Sequence, residues 1–179
     1  MSRRFLFLAS SARAEGNALR LARLAAAGVA QAEWIDLAAL DLPPFHDIRP
    51  AGQPPEGDSR AVWQAMQAAT DLVFVAPVYW YALPAPAKLL LDHWSGWLDV
   101  PGLGFADRMR GKTLWLITAR ADPDPAVAAP VEAMMRQTAV WLGMEYAGAL
   151  HGIGDAAGDV LGDARAVAQA QGFLLPQGA

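Results

Sequence analysis

The residues of this chain best suited to chemistry cluster in two loops rather than in an acid–base pair. The first loop is Ser10-Ser11-Ala12-Arg13-Ala14-Glu15-Gly16-Asn17, with Ala18 next in line. It separates a short apolar run from a helical pattern, so the free N–H groups and dipole of a helix amino end make an anion site there. Ser10, Ser11 and Asn17 add side-chain donors, and Gly16 lets the backbone approach a ligand closely. That set suits a phosphate monoester. It also suits a plain helix cap, because serine and asparagine favour such positions anyway. Arg13 fits a solvated surface position as well as a ligand contact. The second loop is Pro77-Val78-Tyr79-Trp80-Tyr81-Ala82-Leu83-Pro84. Three adjacent large aromatics are much apolar area to leave at a loop. Pro77 and Pro84 stiffen its ends, and a rigid loop holds a planar ring at little entropic cost. A flat aromatic ligand is one reading; packing into the core or a dimer contact is the other.

Other chemistries find little support. No Walker sequence is present, so an NTPase is not expected. A pattern G-x-G-x-x-A falls at Gly152 to Ala157, but no further strand follows it, so a dinucleotide fingerprint there is spurious. His46, His93 and His151 are far apart and lack metal-ligand spacing, so no metal site is expected. There is no G-x-S-x-G elbow and no cysteine, which removes a serine-hydrolase elbow, a thiol nucleophile, an iron–sulfur cluster and a disulfide framework. Asp155, Asp159 and Asp163, four apart, read as a solvated face at the start of the last helix. Lys88 and Asp92 read as a surface pair on a helix.

The elements that position these loops follow from hydrophobic pattern. Strands are expected at Arg4–Ala9, Ala32–Leu37, Asp71–Ala76, Thr113–Thr118 and Tyr146–His151. Helices are expected from Ala18 to about Ala25, from a Ser59 cap to about Ala69, after Pro84 through Trp94, over Pro125–Leu142 and over Val160–Leu175. Segments 41–58 and 101–110 read as loops, the first long enough to be functional or mobile. Strands alternating with helices argue a parallel sheet covered on both faces, within one domain spanning residues 1–179. In such folds ligands bind at the carboxyl ends of the strands, where both loops fall. The chain is 54% apolar and 18% charged with net charge -4. Without a basic patch, nucleic acid is not an expected partner. No apolar run reaches the ~20 residues of a membrane span, and the run after Arg3-Arg4 is too short for a signal peptide. A cytoplasmic protein is expected.

Together these stretches resemble the flavodoxin-like NAD(P)H-dependent FMN reductases and quinone reductases. The phosphate-loop pattern S-x-R-x-x-G-N matches at Ser11, Arg13, Gly16 and Asn17. The pattern P-x-Y-W-x-x-x-P-A-x-x-K, then Asp, matches at Pro77, Tyr79, Trp80, Pro84, Ala85, Lys88 and Asp92. Gly111, Lys112 and Thr118 fit a later G-K-x-x-x-x-x-T, and Leu142 to Glu145 fit L-G-M-E. The resemblance implies a three-layer sandwich with strand order 2-1-3-4-5. It also implies FMN as cofactor and NADPH or NADH as donor, a quinone or similar small-molecule acceptor, and a homodimer in which Trp94 and Trp97 meet the partner chain or serve as core. It places the FMN phosphate on Ser10, Ser11, Arg13, Gly16, Asn17 and Ala18. The ring would lie against Pro77, Val78, Tyr79, Trp80, Tyr81 and Ala82, beside Thr118, Ala119 and Arg120, under a 41–58 loop able to cover it. No side chain is expected to act as an acid or base. Two departures stand out. Ala18 replaces a customary hydroxyl residue, and Arg120 interrupts a customary small, glycine-rich loop; Arg120 would approach the flavin N1 edge, block the ring or face solvent. Within the same fold, a flavodoxin-like electron carrier and a catalytically silent interaction protein are the alternatives.

Overall fold

The computed structural model describes residues 2–175. Five strands form one all-parallel sheet: β1 (Phe5–Ala9), β2 (Ala32–Asp36), β3 (Asp71–Pro77), β4 (Thr113–Arg120) and β5 (Glu145–Ile153). Their order is β2-β1-β3-β4-β5, and the fold is flavodoxin-like. Six α-helices surround the sheet: α1 (Asn17–Ala26), α2 (Gly57–Ala68), α3 (Ala85–Leu98), α4 (Phe105–Met109), α5 (Ala129–Trp141) and α6 (Ala164–Phe173).

The side-chain period of two divides each central strand between two cores. Leu6, Leu8, Leu72, Phe74, Leu114 and Leu116 face α2, α3, α4 and α5. Phe7, Val73, Val75, Trp115, Ile117 and Ala119 face α1 and α6. Because both faces are covered, β3 and β4 are almost entirely buried. This explains their continuous apolar runs. The first core is rich in aromatics: Trp97 is fully buried and lies against Trp63 and Phe105 at centroid distances of 5.8 and 5.6 Å. Trp94 is buried as well and packs against Phe74 and Phe105, so both residues belong to the core of the single chain, with Trp94 also reaching the groove between α3 and α5.

Several boundaries differ from expectation. Ser59 is not the cap of α2 but its third residue; Glu56 is the cap, and Ser59 Oγ accepts from the Glu56 N–H at 2.9 Å. The 101–110 loop contains α4, too short to show a period, which buries Phe105 and Met109. The helix expected over 125–142 is a 3-10 turn, Pro125–Val127, followed by α5 with Pro130 in its first turn. The last helix likewise splits into a 3-10 turn, Asp159–Gly162, and α6. The expected single domain, 1–179, extends at both ends beyond the described residues.

Lys112, in the G-K pattern, has a structural task. Its ammonium donates to the carbonyls of Gln67 (3.1 Å) and Ala69 at the carboxyl end of α2, just before β3. Burial holds its pKa below the ordinary lysine value. At the same edge the carboxylate of Asp71, itself buried, accepts from Arg3 Nε (3.1 Å), Trp115 Nε1 (2.9 Å) and Thr70 Oγ1 (2.7 Å).

Trp97→Ala opens a cavity in the aromatic core and is expected to lower stability by about 3–5 kcal/mol, measured by urea unfolding.

Candidate functional site

The carboxyl ends of β1, β3, β4 and β5 meet at a cleft of about 210 Å³. Its walls come from Ser11, Arg13 and Gly16 to Ala18 at one end, Pro77 to Tyr79 and Ala119 to Ala121 at the other, with Gly154 and Asp155 between them. Residues far apart in sequence are thus joined as expected. A larger groove of about 590 Å³ between α1 and β2 shares Ser11 and Arg13 with the cleft but contains none of the aromatic loop.

The anion end is built on α1. Gly16 is its cap in an extended conformation, so the amides of the first turn have no acceptor within the helix and are directed out of its amino end. A side chain at Gly16 would place its Cβ 2.6 Å from Ser11 Oγ. Glycine here lets the loop pack closely over the Ser11 side chain, while its backbone angles are ones any residue adopts. Ser11 Oγ accepts from the Arg13 N–H (3.2 Å) and keeps its own proton to donate. Ser10 is fully buried, and its hydroxyl has no partner. Arg13 is exposed, with Nη1 donating to the Asp155 carbonyl at 3.0 Å.

Asn17 departs from expectation. Its side chain does not point free donors at a ligand: Nδ2 donates to the Ala156 carbonyl (2.9 Å), and Oδ1 accepts from the Gly158 N–H (2.8 Å). It ties the start of α1 to the loop after β5. Asp155 and Asp159 are exposed, as on a solvated face, and Asp159 and Asp163 also belong to the same web. Asp159 Oδ2 accepts from the amides of Asp155 (3.2 Å) and Ala156 (2.8 Å), while Asp163 accepts from Ile153 N and, as cap of α6, from Ala166 N, both at 3.0 Å. Gly154 sits where any Cβ would fall 2.7 Å from Val160 N and 2.9 Å from Asn17 Nδ2. The Gly152–Ala157 glycines therefore serve this tight crossing.

The aromatic loop is a two-residue turn closed by reciprocal bonds between Tyr79 and Ala82, each 3.0 Å. Trp80 (φ 50°) and Tyr81 (φ 64°) both adopt the left-handed conformation that asparagine and glycine normally supply in such turns. Each non-glycine residue there costs on the order of 1–3 kcal/mol. Val78 N donates to the Ala119 carbonyl at 2.9 Å. The amides of Val78, Tyr79 and Ala82 are thus engaged, and those of Trp80 and Tyr81 are the turn's open donors. Tyr79 lines the cleft; Trp80 and Tyr81 do not. Trp80 is 94% exposed, so of the three rings expected beside the ligand only Tyr79 forms part of the wall.

Thr118, Ala119 and Arg120 lie inside β4 rather than in a loop after it. Ala119 and Arg120 line the cleft; Thr118 is fully buried behind it. Arg120 neither faces solvent nor hangs free: it is 6% exposed, with Nε donating to the Asp124 carbonyl and Nη2 to the Pro123 carbonyl, both 3.2 Å. Its buried Nη1 has no partner among the described residues.

Behind this wall His151 Nε2 lies 3.2 Å from Glu132 Oε2, and its Nδ1 lies 2.7 Å from Thr118 Oγ1. Burial pushes the His151 pKa below its ordinary 6.5; the nearby Arg120 and Arg165 act the same way, and Glu132 opposes them. The neutral ring then carries its proton on Nε2 and accepts from the Thr118 hydroxyl. This cluster was not visible as a spacing in the sequence, because the three residues come from three elements. The 41–58 segment does not roof the cleft. It lies along α3, where the Gln53 amide donates to the Gly96 carbonyl (3.0 Å) and His93 Nε2–H donates to the Pro43 carbonyl (2.8 Å).

The carboxyl edge of this flavodoxin-like sheet thus carries one cleft that joins the amino end of α1 to Tyr79 and Arg120. The chain belongs to the NADPH-dependent FMN reductase family, whose sequence profile matches residues 3–157. It is 28% identical over 166 residues to YwqN of Bacillus subtilis, assigned as an NAD(P)H-dependent FMN-containing oxidoreductase; the match covers 90% of this chain and 91% of that one. The structure of a Trp repressor binding protein from Bacillus subtilis superposes with a TM-score of 0.82 at 24% identity, covering 98% of this chain and 100% of that one. An NAD(P)H:quinone oxidoreductase from Methanothermobacter marburgensis gives a TM-score of 0.69 at 14% identity, covering 99% of each chain. The cofactor of the family is FMN, with NAD(P)H as its donor.

The residues present fit FMN. The helix amides and the Ser11 hydroxyl offer donors for a phosphate, and the buried Ser10 hydroxyl and Arg120 Nη1 are polar atoms without partners.

Two outcomes follow. Asn17→Ala leaves the Gly158 amide and Ala156 carbonyl without their partner and should cost about 1–3 kcal/mol in chemical unfolding, with weaker FMN binding. For His151, whose folded pKa lies below the unfolded value, the unfolded chain takes up the proton first as pH falls. Its contribution to stability is therefore complete above about pH 6.5 and is lost below it. The melting temperature of the wild type should fall more steeply than that of His151→Gln as the pH is lowered through that window.

Proposed function

We propose that this protein is an NAD(P)H-dependent FMN oxidoreductase that passes electrons to a quinone or a similarly flat small molecule, working as a single flavodoxin-like domain in the cytoplasm. The observation that carries this reading is one cleft with an anion-binding helix end at one end and Tyr79 and Arg120 at the other. When bound, FMN supplies the hydride and electron chemistry. The chain supplies position. The α1 amides, Ser11 and Arg13 hold the phosphate, and Ala18 contributes its amide in place of a hydroxyl. Pro77, Val78, Tyr79 and Ala119 wall the ring, and the open amides of Trp80 and Tyr81 orient its polar edge. The strained turn keeps Trp80 and Tyr81 exposed at the lip, where a flat donor or acceptor can stack. The hydride chemistry proposed here needs no proton donor on the protein.

The homodimer is part of the same reading. An apolar groove of about 480 Å³ between α3 and α5 is rimmed by Leu98, Val140 and Trp141, all exposed. A second copy of the chain, which carries the same groove and rim, is the occupant that suits it.

Purified protein titrated with FMN should turn yellow and quench flavin fluorescence, and the holoprotein should oxidise NADPH or NADH when a quinone is supplied. Protein that takes up no FMN would sink the reading; FMN uptake without nicotinamide oxidation would mark an electron carrier instead. Tyr79→Ala should weaken FMN binding about tenfold, equivalent to ~1.4 kcal/mol, and Trp80→Ala by less. Trp141→Glu should shift the protein to a monomer in analytical ultracentrifugation.

A further inference from the structure

Arg120 is the most unusual charge in the molecule. Its backbone is held from both sides: the carbonyl of its neighbour Ala119 accepts from Val78 N, and its own accepts from Gly154 N, each at 2.9 Å. Its side chain is wrapped by the turn that follows β4. The Pro123 and Asp124 carbonyls take two of its donors, and that turn is itself pinned, because Asp122 Oδ1 accepts from Asp124 N and Asp124 Oδ1 from Ala126 N, both at 2.8 Å. No carboxylate pairs with its guanidinium among the described residues. His151, whose pKa burial and the Arg120 charge both lower, is a base that can carry only a like charge and so offers no counterion. A buried guanidinium without a counterion is costly. An N–H left without an acceptor adds to that cost, and Nη1 is such a group. The fold nevertheless fixes this cation in the wall of the ligand cleft.

We propose that Arg120 is a positioning residue for the flavin's redox state: its free Nη1–H meets the pyrimidine edge of the ring, at N1 and the C2 carbonyl, and its charge favours the reduced form. This deepens the proposed function and rests on FMN occupying the cleft. The chemistry that recognises the site is an acceptor edge that becomes anionic. Hydride transfer moves two electrons and one proton from the nicotinamide C4 to flavin N5, leaving an oxidised nicotinamide cation and a reduced ring with one added negative charge at N1 and C2=O. When the acceptor takes the hydride equivalent and a solvent proton, that charge is removed. A cation fixed at this edge interacts with the reduced ring more strongly than with the oxidised one, and differential binding of that kind sets the potential.

The test uses the FMN-loaded protein and reads properties other than turnover. Arg120→Gln should reduce the preference for reduced over oxidised FMN about tenfold, a fall of about 30 mV in the two-electron midpoint potential. Sulfite, which adds at N5 and leaves the same negative charge at N1, should bind about tenfold more weakly to Arg120→Gln than to wild type. Arg120→Lys, which keeps the charge, should recover most of both. An Arg120→Gln protein that binds FMN with unchanged potential and unchanged sulfite affinity overturns the proposal, and a lowered melting temperature alone would then assign Arg120 to bracing the turn. If Arg120→Gln does not fold, the wild type decides by itself, because a holoprotein that forms no sulfite adduct also overturns it. Wild-type protein that takes up no FMN removes the proposed function as well, whereas FMN uptake with an unmoved potential removes only the role of Arg120.

Discussion

The parallel register of β3 between β1 and β4 is the constraint on which the rest of the molecule depends. Phe5 pairs with Asp71 and Asp71 with Thr113, so three strands start level and run the same way. Every loop leaving their carboxyl ends is therefore delivered to one edge. The amino-terminal edge is fastened by Asp71, which gathers Arg3, Thr70 and Trp115, and by Lys112, which closes the end of α2. With that edge locked and both faces buried, the opposite edge tolerates loops that are poor in regular structure and strained.

At that edge the loops are joined by polar groups rather than by apolar packing. Asn17, Asp159 and Asp163 satisfy backbone groups of the β5–α6 connection. The apposition is so close that Gly154 has no room for a side chain. A loop fastened by hydrogen bonds to backbone groups keeps its geometry without filling the cleft. The first-turn amides of α1 have no side-chain cap, and the side chain beside them, Asn17, is engaged elsewhere.

The other end of the cleft stores unfavourable energy instead. Two bulky residues sit in the left-handed region at Trp80 and Tyr81, and a guanidinium is buried without a counterion at Arg120. Such features persist only where the surrounding structure over-determines them, and here the closure of the turn by Tyr79 and Ala82 and the wrapping of Arg120 by Pro123 and Asp124 do so. The cleft thus combines a relaxed end at α1 with a strained end at the Tyr79–Ala82 turn and Arg120.

The alternation of strand and helix and the two loops of the site were legible in the sequence from local signals: apolar runs of strand length, helix-breaking glycines, and a motif whose residues are near neighbours. The sheet order followed only from the family resemblance. The sequence also singled out Arg120, as a departure from a small-residue loop. Tertiary structure alone decided what each side chain does there. Asn17 was read as a ligand donor because its type suits one, but its partners, Ala156 and Gly158, lie far along the chain. Trp80 and Tyr81 share the aromatic motif with Tyr79, but the turn leaves Trp80 almost wholly exposed and only Tyr79 lines the cleft. The Thr118–His151–Glu132 cluster and the placement of the 41–58 segment along α3 were likewise invisible. Periodicity and turn chemistry are properties of neighbours in sequence, whereas a hydrogen-bond partner or an exposed face is set by packing between elements that the chain order does not bring together.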